Sequence, residues 1–169
     1  MDEERSHRLT DSTSSGAGKS TLSKTIVANF PSYERLSIDK IVFDRHGLWG
    51  TDYPPERYEE FQDEACEYYE HRLLALLEEG KKDVVLDRSF YAREDRNYFK
   101  GIVEKKGGRW VLVFFRPTSK EVVWQRIVTR RKTGINADSA LDITPELFDM
   151  YWDGFEIPEG EGEIVVDVV

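Results

Sequence analysis

Apolar positions along the chain recur with two different periods. In KSTLSKTIVANF (19–30), Leu22, Ile26, Val27 and Phe30 fall on one helical stripe, which predicts a helix that Pro31 ends. A longer helix is predicted from Pro55, where Tyr58, Phe61, Ala65, Tyr69, Leu73, Leu76 and Leu77 return at helical spacing until Gly80 closes it. DVVLD (83–87) and RWVLVFF (109–115) are continuous apolar runs of strand length, as expected of strands covered on both faces. Between them REDRNYFKGIVEKK reads as a helix ended by Gly107 and Gly108. Thr118 with Glu121 predicts a capping box for the helix SKEVVWQRIVTRR, and Thr144 with Pro145 starts another at ELFDMYW. RLSID (35–39) is a short extended segment, and EIVVDVV closes the chain as a strand.

Strands alternating with helices imply an α/β chain, a mainly parallel sheet between two helical layers, and one domain over residues 1–169. Ligands of such sheets lie beyond the carboxyl ends of the strands, here the ends at Asp39, Asp87 and Arg116. Residues 1–10 are polar, and KTGINADSALD, within 132–143, has the composition of a lid loop.

Charge and cysteine usage narrow the partners. With 24 Lys and Arg against 33 Asp and Glu, the formal charge of −9 repels a phosphate backbone, so nucleic acid is not an expected partner. Cys66 stands alone, which excludes an intrachain disulfide or a thiolate zinc site and predicts a buried structural thiol. No apolar run approaches membrane-spanning length and MDEERSHR is charged where a signal peptide would be apolar, so a reducing, cytoplasmic setting is expected; the chain is also expected to be a monomer.

DSTSSGAGKST (11–21) carries the chemistry. The phosphate-loop pattern is G-x-x-x-x-G-K-[ST], and Gly18, Lys19 and Ser20 complete its second half. Its first glycine is replaced by Thr13, and the preceding SHRLTD offers only Leu9, which predicts a central strand that is short, polar or displaced. In such a loop the backbone amides wrap a phosphate and the helix start faces it, which assigns Ser14, Ser15, Gly16, Ala17, Gly18, Lys19, Ser20 and Thr21 to the phosphates and the Ser20 hydroxyl to Mg²⁺. A flexible Ser/Gly linker is the competing reading of TDSTSSGAG.

Other candidates depend on that loop. Asp87, ending VVLD, suits a carboxylate that holds Mg²⁺. Asp39 is the candidate general base, with a helix N-cap as its alternative and Asp44 in reserve. Arg126 and Arg130 lie one turn apart and suit a transferring γ-phosphate, whereas Arg131 reads as a solvated helix end. Arg93 and Arg96 suit an anionic substrate or surface ion pairs, and His46, Trp49 and Tyr53 an acceptor pocket or an aromatic core cluster.

GAGKST, the following SID, VVLDRSFYAREDR and the late R-x-x-x-R helix together resemble the small P-loop kinase group that includes zeta toxins, chloramphenicol phosphotransferase and polynucleotide kinase domains. The resemblance runs from about residue 14 over most of the chain. It implies a three-layer α/β/α P-loop NTPase fold, with ATP and Mg²⁺ as cofactors. It also implies Lys19 and Ser20 at the phosphates, Asp39 near a small hydroxylated acceptor, and Arg126 or Arg130 at the nucleotide as lid arginines. The expected activity is ATP hydrolysis and γ-phosphoryl transfer, with an acceptor-free ATPase or a nucleotide-binding protein without turnover as alternatives.

Overall fold

The computed structural model describes residues 7–12, 16–134, 136–137 and 143–169. Five strands, β1 (His7–Ser12), β2 (Tyr33–Ser37), β3 (Asp83–Asp87), β4 (Arg109–Pro117) and β5 (Ile164–Val168), form one sheet in the order β2-β3-β1-β4-β5. Every pairing is parallel. Among the described residues the connections hold six α-helices, α1 (Lys19–Asn29), α2 (Ile38–His46), α3 (Tyr58–Glu79), α4 (Arg93–Lys105), α5 (Lys120–Thr133) and α6 (Pro145–Asp153), and a 3-10 turn (Pro55–Arg57) that leads into α3. The expected parallel α/β architecture is what the chain adopts.

Alternation along the strands divides the core. Val84 and Leu86 of β3 face α3 and α4, where they pack with Tyr69, Leu73, Leu76, Phe99 and Val103. Asp87 faces the other way, toward α1, and Val113 and Phe115 of β4 pack with Ala17 and Leu22 on that side. The long helix is as its periodicity predicts: Phe61, Ala65, Tyr69, Leu73, Leu76 and Leu77 are all buried, and Gly80 ends it in the left-handed conformation.

Several expectations need correction. Of the three alternatives for the central strand, polar is the one that holds, while short and displaced do not: β1 has 6 residues and lies between β3 and β4, with Asp11 opposite Asp87 and Ser12 opposite Phe114. Backbone pairing on both sides holds it there, a signal that side-chain hydropathy does not carry. Phe30 is exposed, and the buried position of α1 is Ser23. RLSID is not extended to its end: β2 stops at Ser37, whose hydroxyl caps α2 by accepting from the Lys40 N–H at 3.4 Å. The cap of α5 is Ser119, accepting from Val122 at 3.3 Å, so the Thr118–Glu121 box is off by one residue. Thr144 caps α6 as expected. Among the described residues no helix is long and apolar enough to cross a membrane.

Candidate active site

The loop between β1 and α1 leaves the carboxyl end of the central strand. Thr13, Ser14 and Ser15, three of its predicted members, lie outside the described residues. From Gly16 onward the path is set by glycine: Gly16 has φ +93° and Gly18, the N-cap of α1, has φ +112°, both left-handed values that side chains resist. Ala17 between them is buried under Val113 and Phe115. No acidic side chain occupies the first turn of α1, so the positive end of the helix dipole faces the site without an internal anion.

Beyond the loop lies a cavity of about 790 Å³. Gly16, Gly18, Lys19, Ser20 and Thr21 line one end; Arg126 and Arg130 of α5 line it as well, and so do Asp39 and Asp87. The predicted residues of loop, base, metal and arginine helix therefore meet around a single space. The proposed lid falls largely on residue 135 and residues 138–142, outside the described residues, although Ala137 and Ile143 on either side border the cavity.

Asp87 is the most constrained carboxylate there. Its Oδ2 accepts from Ser23 Oγ at 2.8 Å, from Arg35 Nε at 2.8 Å and from Arg35 Nη2 at 2.5 Å. Its Oδ1 faces the Ser20 hydroxyl at 3.5 Å. The side chains of Arg35 and Asp87 are 8% and 4% exposed, so this is a buried ion pair. Arg35 was not apparent as a site residue: in YERLS it reads as the polar alternate of a strand. The hydroxyl and the remaining carboxylate oxygen form an all-oxygen pair suited to Mg²⁺, which retains water and phosphate ligands in such sites. Among the described residues no cluster of three or more His, Cys, Asp or Glu offers a self-sufficient metal cage.

Asp39 occupies the first turn of α2 behind the Ser37 cap, which removes the N-cap alternative. Its negative charge reaches two phenols of the cavity wall. Burial first, and the Asp39 carboxylate second, push the Tyr53 and Tyr58 hydroxyls up, so both remain protonated donors. Asp44 is turned away from this role, exposed and paired with Lys40 at 2.6 Å.

Tyr53 is buried and borders the cavity, whereas His46 stacks on Phe61 and bonds Glu64, and Trp49 packs in the cluster of Val42, Tyr53 and Phe61. Arg96 is buried and clamped by Glu161 through two 2.7 Å bonds, and Arg93 lies 3.7 Å from the same carboxylate; neither borders the cavity. Arg116 pairs with Asp167 on the exposed sheet edge. Arg131 lies outside this cavity, as expected. Cys66 is half-buried and borders the cavity instead of filling the core; burial pushes its thiol up, away from the reactive thiolate. Tyr58, Gln62, Arg88, Tyr91 and Tyr151 also border the cavity. Helical spacing in α3 could have placed Tyr58, Gln62 and Cys66 on one face, but they read as core or surface because the cavity has no local sequence signal.

The AAA domain family model matches residues 14–158. No curated protein matches the sequence. Among solved structures, the chain resembles a protein of Chloroflexus aurantiacus J-10-fl thought to be a kinase, with TM-score 0.73 and 17% identity over 98% of this chain and 87% of the other. It also resembles Chaetomium thermophilum Kti12 in complex with ADP–AlF3, with TM-score 0.63 and 12% identity over 95% and 88% of the two chains. A third likeness is to the PezAT toxin–antitoxin system of Streptococcus pneumoniae, with TM-score 0.62 and 14% identity; it covers 78% of this chain but 55% of that one. Identities this low speak to the fold, and membership of the family supports nucleotide binding. The chain belongs to the AAA domain family and has the fold of the small P-loop kinase-like NTPases.

Proposed function

We propose that the protein is an ATP-dependent phosphotransferase that moves the γ-phosphoryl group to a hydroxyl of a small acceptor. One observation carries the reading: the cavity lined by the phosphate loop and Asp39 is also lined by Tyr53, Tyr58, Gln62, Cys66 and Tyr151, side chains that no phosphate group calls for. At 790 Å³ the cavity is within the range of pockets that enclose drug-sized ligands, and its aromatic lining extends the contacts beyond those that the phosphates of a nucleotide need.

In this reading the loop amides from Ser14 to Thr21 and the Lys19 ammonium hold the phosphates. Ser20 and Asp87 would hold Mg²⁺, which neutralises charge on the phosphate oxygens when bound. Arg126 and Arg130 offset the remaining negative charge. The acceptor oxygen bonds to the γ-phosphorus as the bond from that phosphorus to the β–γ bridging oxygen breaks. ADP keeps that electron pair, and the acceptor proton passes to Asp39. Tyr53 and Tyr58, held protonated, are suited to orient Asp39 or the acceptor hydroxyl. The charge of −9 and the single cysteine suit a reducing, cytoplasmic setting and an acceptor other than nucleic acid.

The test is Asp39→Asn. Because Ser37 is the cap of α2, the variant keeps its melting temperature and its affinity for an ATP analogue, while acceptor-dependent turnover falls about 10² to 10⁴-fold, the usual contribution of a general base. Retained turnover in a folded variant removes Asp39 from the chemistry.

A second reading, nucleotide binding without significant turnover, draws on two contacts: Arg35 occupies Oδ2 of Asp87, and Arg126 Nη2 donates to the Val169 carbonyl at 2.6 Å. It predicts binding of a fluorescent ATP analogue with no phosphate released. An acceptor-free ATPase predicts instead that ADP release is unchanged by any acceptor.

A further inference from the structure

Arg88 follows Asp87 at the end of β3, and strand alternation sends the two side chains to opposite faces. Asp87 meets Ser20 and Ser23 of α1. Arg88 meets α3 and α4: its guanidinium carbon is 5.8 Å from the ring centre of Tyr69, 5.5 Å from that of Phe90 and 4.9 Å from that of Phe99. It still borders the cavity, on the side away from the helix that follows the phosphate loop.

Stacking engages the flat face of a guanidinium and leaves its N–H donors, which lie in the plane, available. Among the described residues, Arg88 has neither a hydrogen-bond acceptor nor a carboxylate partner. Arg35, Arg72, Arg96 and Arg116 each hold a carboxylate. Acidic residues outnumber basic ones, so a shortage of carboxylates is not the reason.

The turn that presents Arg88 is fixed at a cost. Phe90 is fully buried with φ +42°, a left-handed value that bulky residues avoid. Its carbonyl accepts from Arg96 Nη1 at 3.0 Å, and Arg96 is in turn clamped by Glu161. A buried ion pair therefore supports the strained turn beside the cavity. The Arg88 charge opposes the rise that burial imposes on the Cys66 thiol, which borders the same cavity.

We infer that Arg88 anchors an anionic group on the acceptor, a carboxylate or a phosphate, so that the phosphoryl acceptor is a small hydroxylated acid and not a neutral alcohol. The inference rests on the phosphotransferase reading of the cavity. An anionic acceptor that approaches the ATP phosphates beside Asp39 is repelled unless a cation faces it, and Arg88, which borders the same cavity without a carboxylate partner among the described residues, supplies one. The rings of Tyr58, Tyr91 and Tyr151 offer an apolar bed for the carbon skeleton.

The test is calorimetric titration with matched probes, with and without Mg²⁺ and ADP. 4-Hydroxyphenylacetate is compared with its amide, and glycerol 3-phosphate with glycerol. The wild-type protein binds the anion at least about tenfold more tightly than its neutral partner in one pair, and that pair identifies the anion. Arg88→Met removes the preference while ADP and the neutral probe bind as before; Arg88→Lys, with the charge but not the planar fork, keeps part of it. Should Arg88→Met not fold, Arg88→Gln carries the comparison. A wild-type protein with no preference in either pair, or a charge-free variant that retains the preference, overturns the inference. Loss of the phosphotransferase reading has a separate signature: no ADP is bound, yet an Arg88-dependent anion preference persists.

Discussion

Replacing Arg35 by methionine isolates the ion pair at the centre of the site. The substitution keeps an unbranched apolar stem and removes three donor contacts: Nε and Nη2 to Asp87 Oδ2, and Nε to Ser23 Oγ. Asp87 is then a buried carboxylate left with Ser23 and Ser20. Breaking one side of a buried pair costs about 3 to 5 kcal/mol, and the surviving Ser23 bond puts the expectation near the lower end, about 3 kcal/mol. For a domain of this length each kcal/mol lowers the melting temperature by roughly 2 to 4 °C, so Arg35→Met should melt about 6 to 12 °C below the parent. Adding Asp87→Asn should recover much of that loss, because it removes the charge that lacks a partner. Thermal unfolding followed by circular dichroism reads both. A single variant within about 2 °C of the parent, or a double variant less stable than the single, would refute the assignment of the pair.

Gly16→Ala places a Cβ 2.8 Å from Cγ1 of Ile127 and 3.3 Å from the Val123 carbonyl on a left-handed backbone. It should weaken binding of a fluorescent ATP analogue by about tenfold or more, and unchanged affinity would contradict the loop path. Glu34 gives a pH-dependent prediction: burial alone would raise its carboxyl, but bonds from Arg72 and Lys82 outweigh burial and hold it below its ordinary value. A lowered carboxyl contributes stability above its unfolded pKa and loses it as the pH falls through the folded one, so Arg72→Met should cost about 1 kcal/mol at neutral pH and progressively less below about pH 4.5. Melting curves from acid to neutral pH check this, and a gap that stays constant with pH would contradict it.

The legible parts of this protein were those with local signals. α3 follows from a helical stripe, β3 and β4 from apolar runs, and the phosphate loop from Gly18, Lys19 and Ser20. The central strand was obscure because HRLTDS is held by pairing with β3 and β4, and pairing leaves no trace in hydropathy. Boundaries moved where two capping residues stood side by side, as with Thr118 and Ser119. Arginines could not be sorted by sequence: Arg93 and Arg96 resemble substrate ligands but hold Glu161, whereas Arg35 and Arg88 border or support the site through residues distant in the chain. Charge identifies a candidate, and its partner across the sheet decides the role.

Whether the loop before α1 holds the phosphates of a nucleotide is read most directly by titrating a fluorescent ATP analogue, with Mg²⁺, into the parent and a folded Lys19→Ala variant. Lys19 opens α1 and borders the cavity. A charge-assisted hydrogen bond contributes about 1.5 to 3 kcal/mol, so the variant should bind roughly 10- to 100-fold more weakly at an unchanged melting temperature. Equal affinity in parent and variant would mean that the nucleotide, if bound, lies elsewhere.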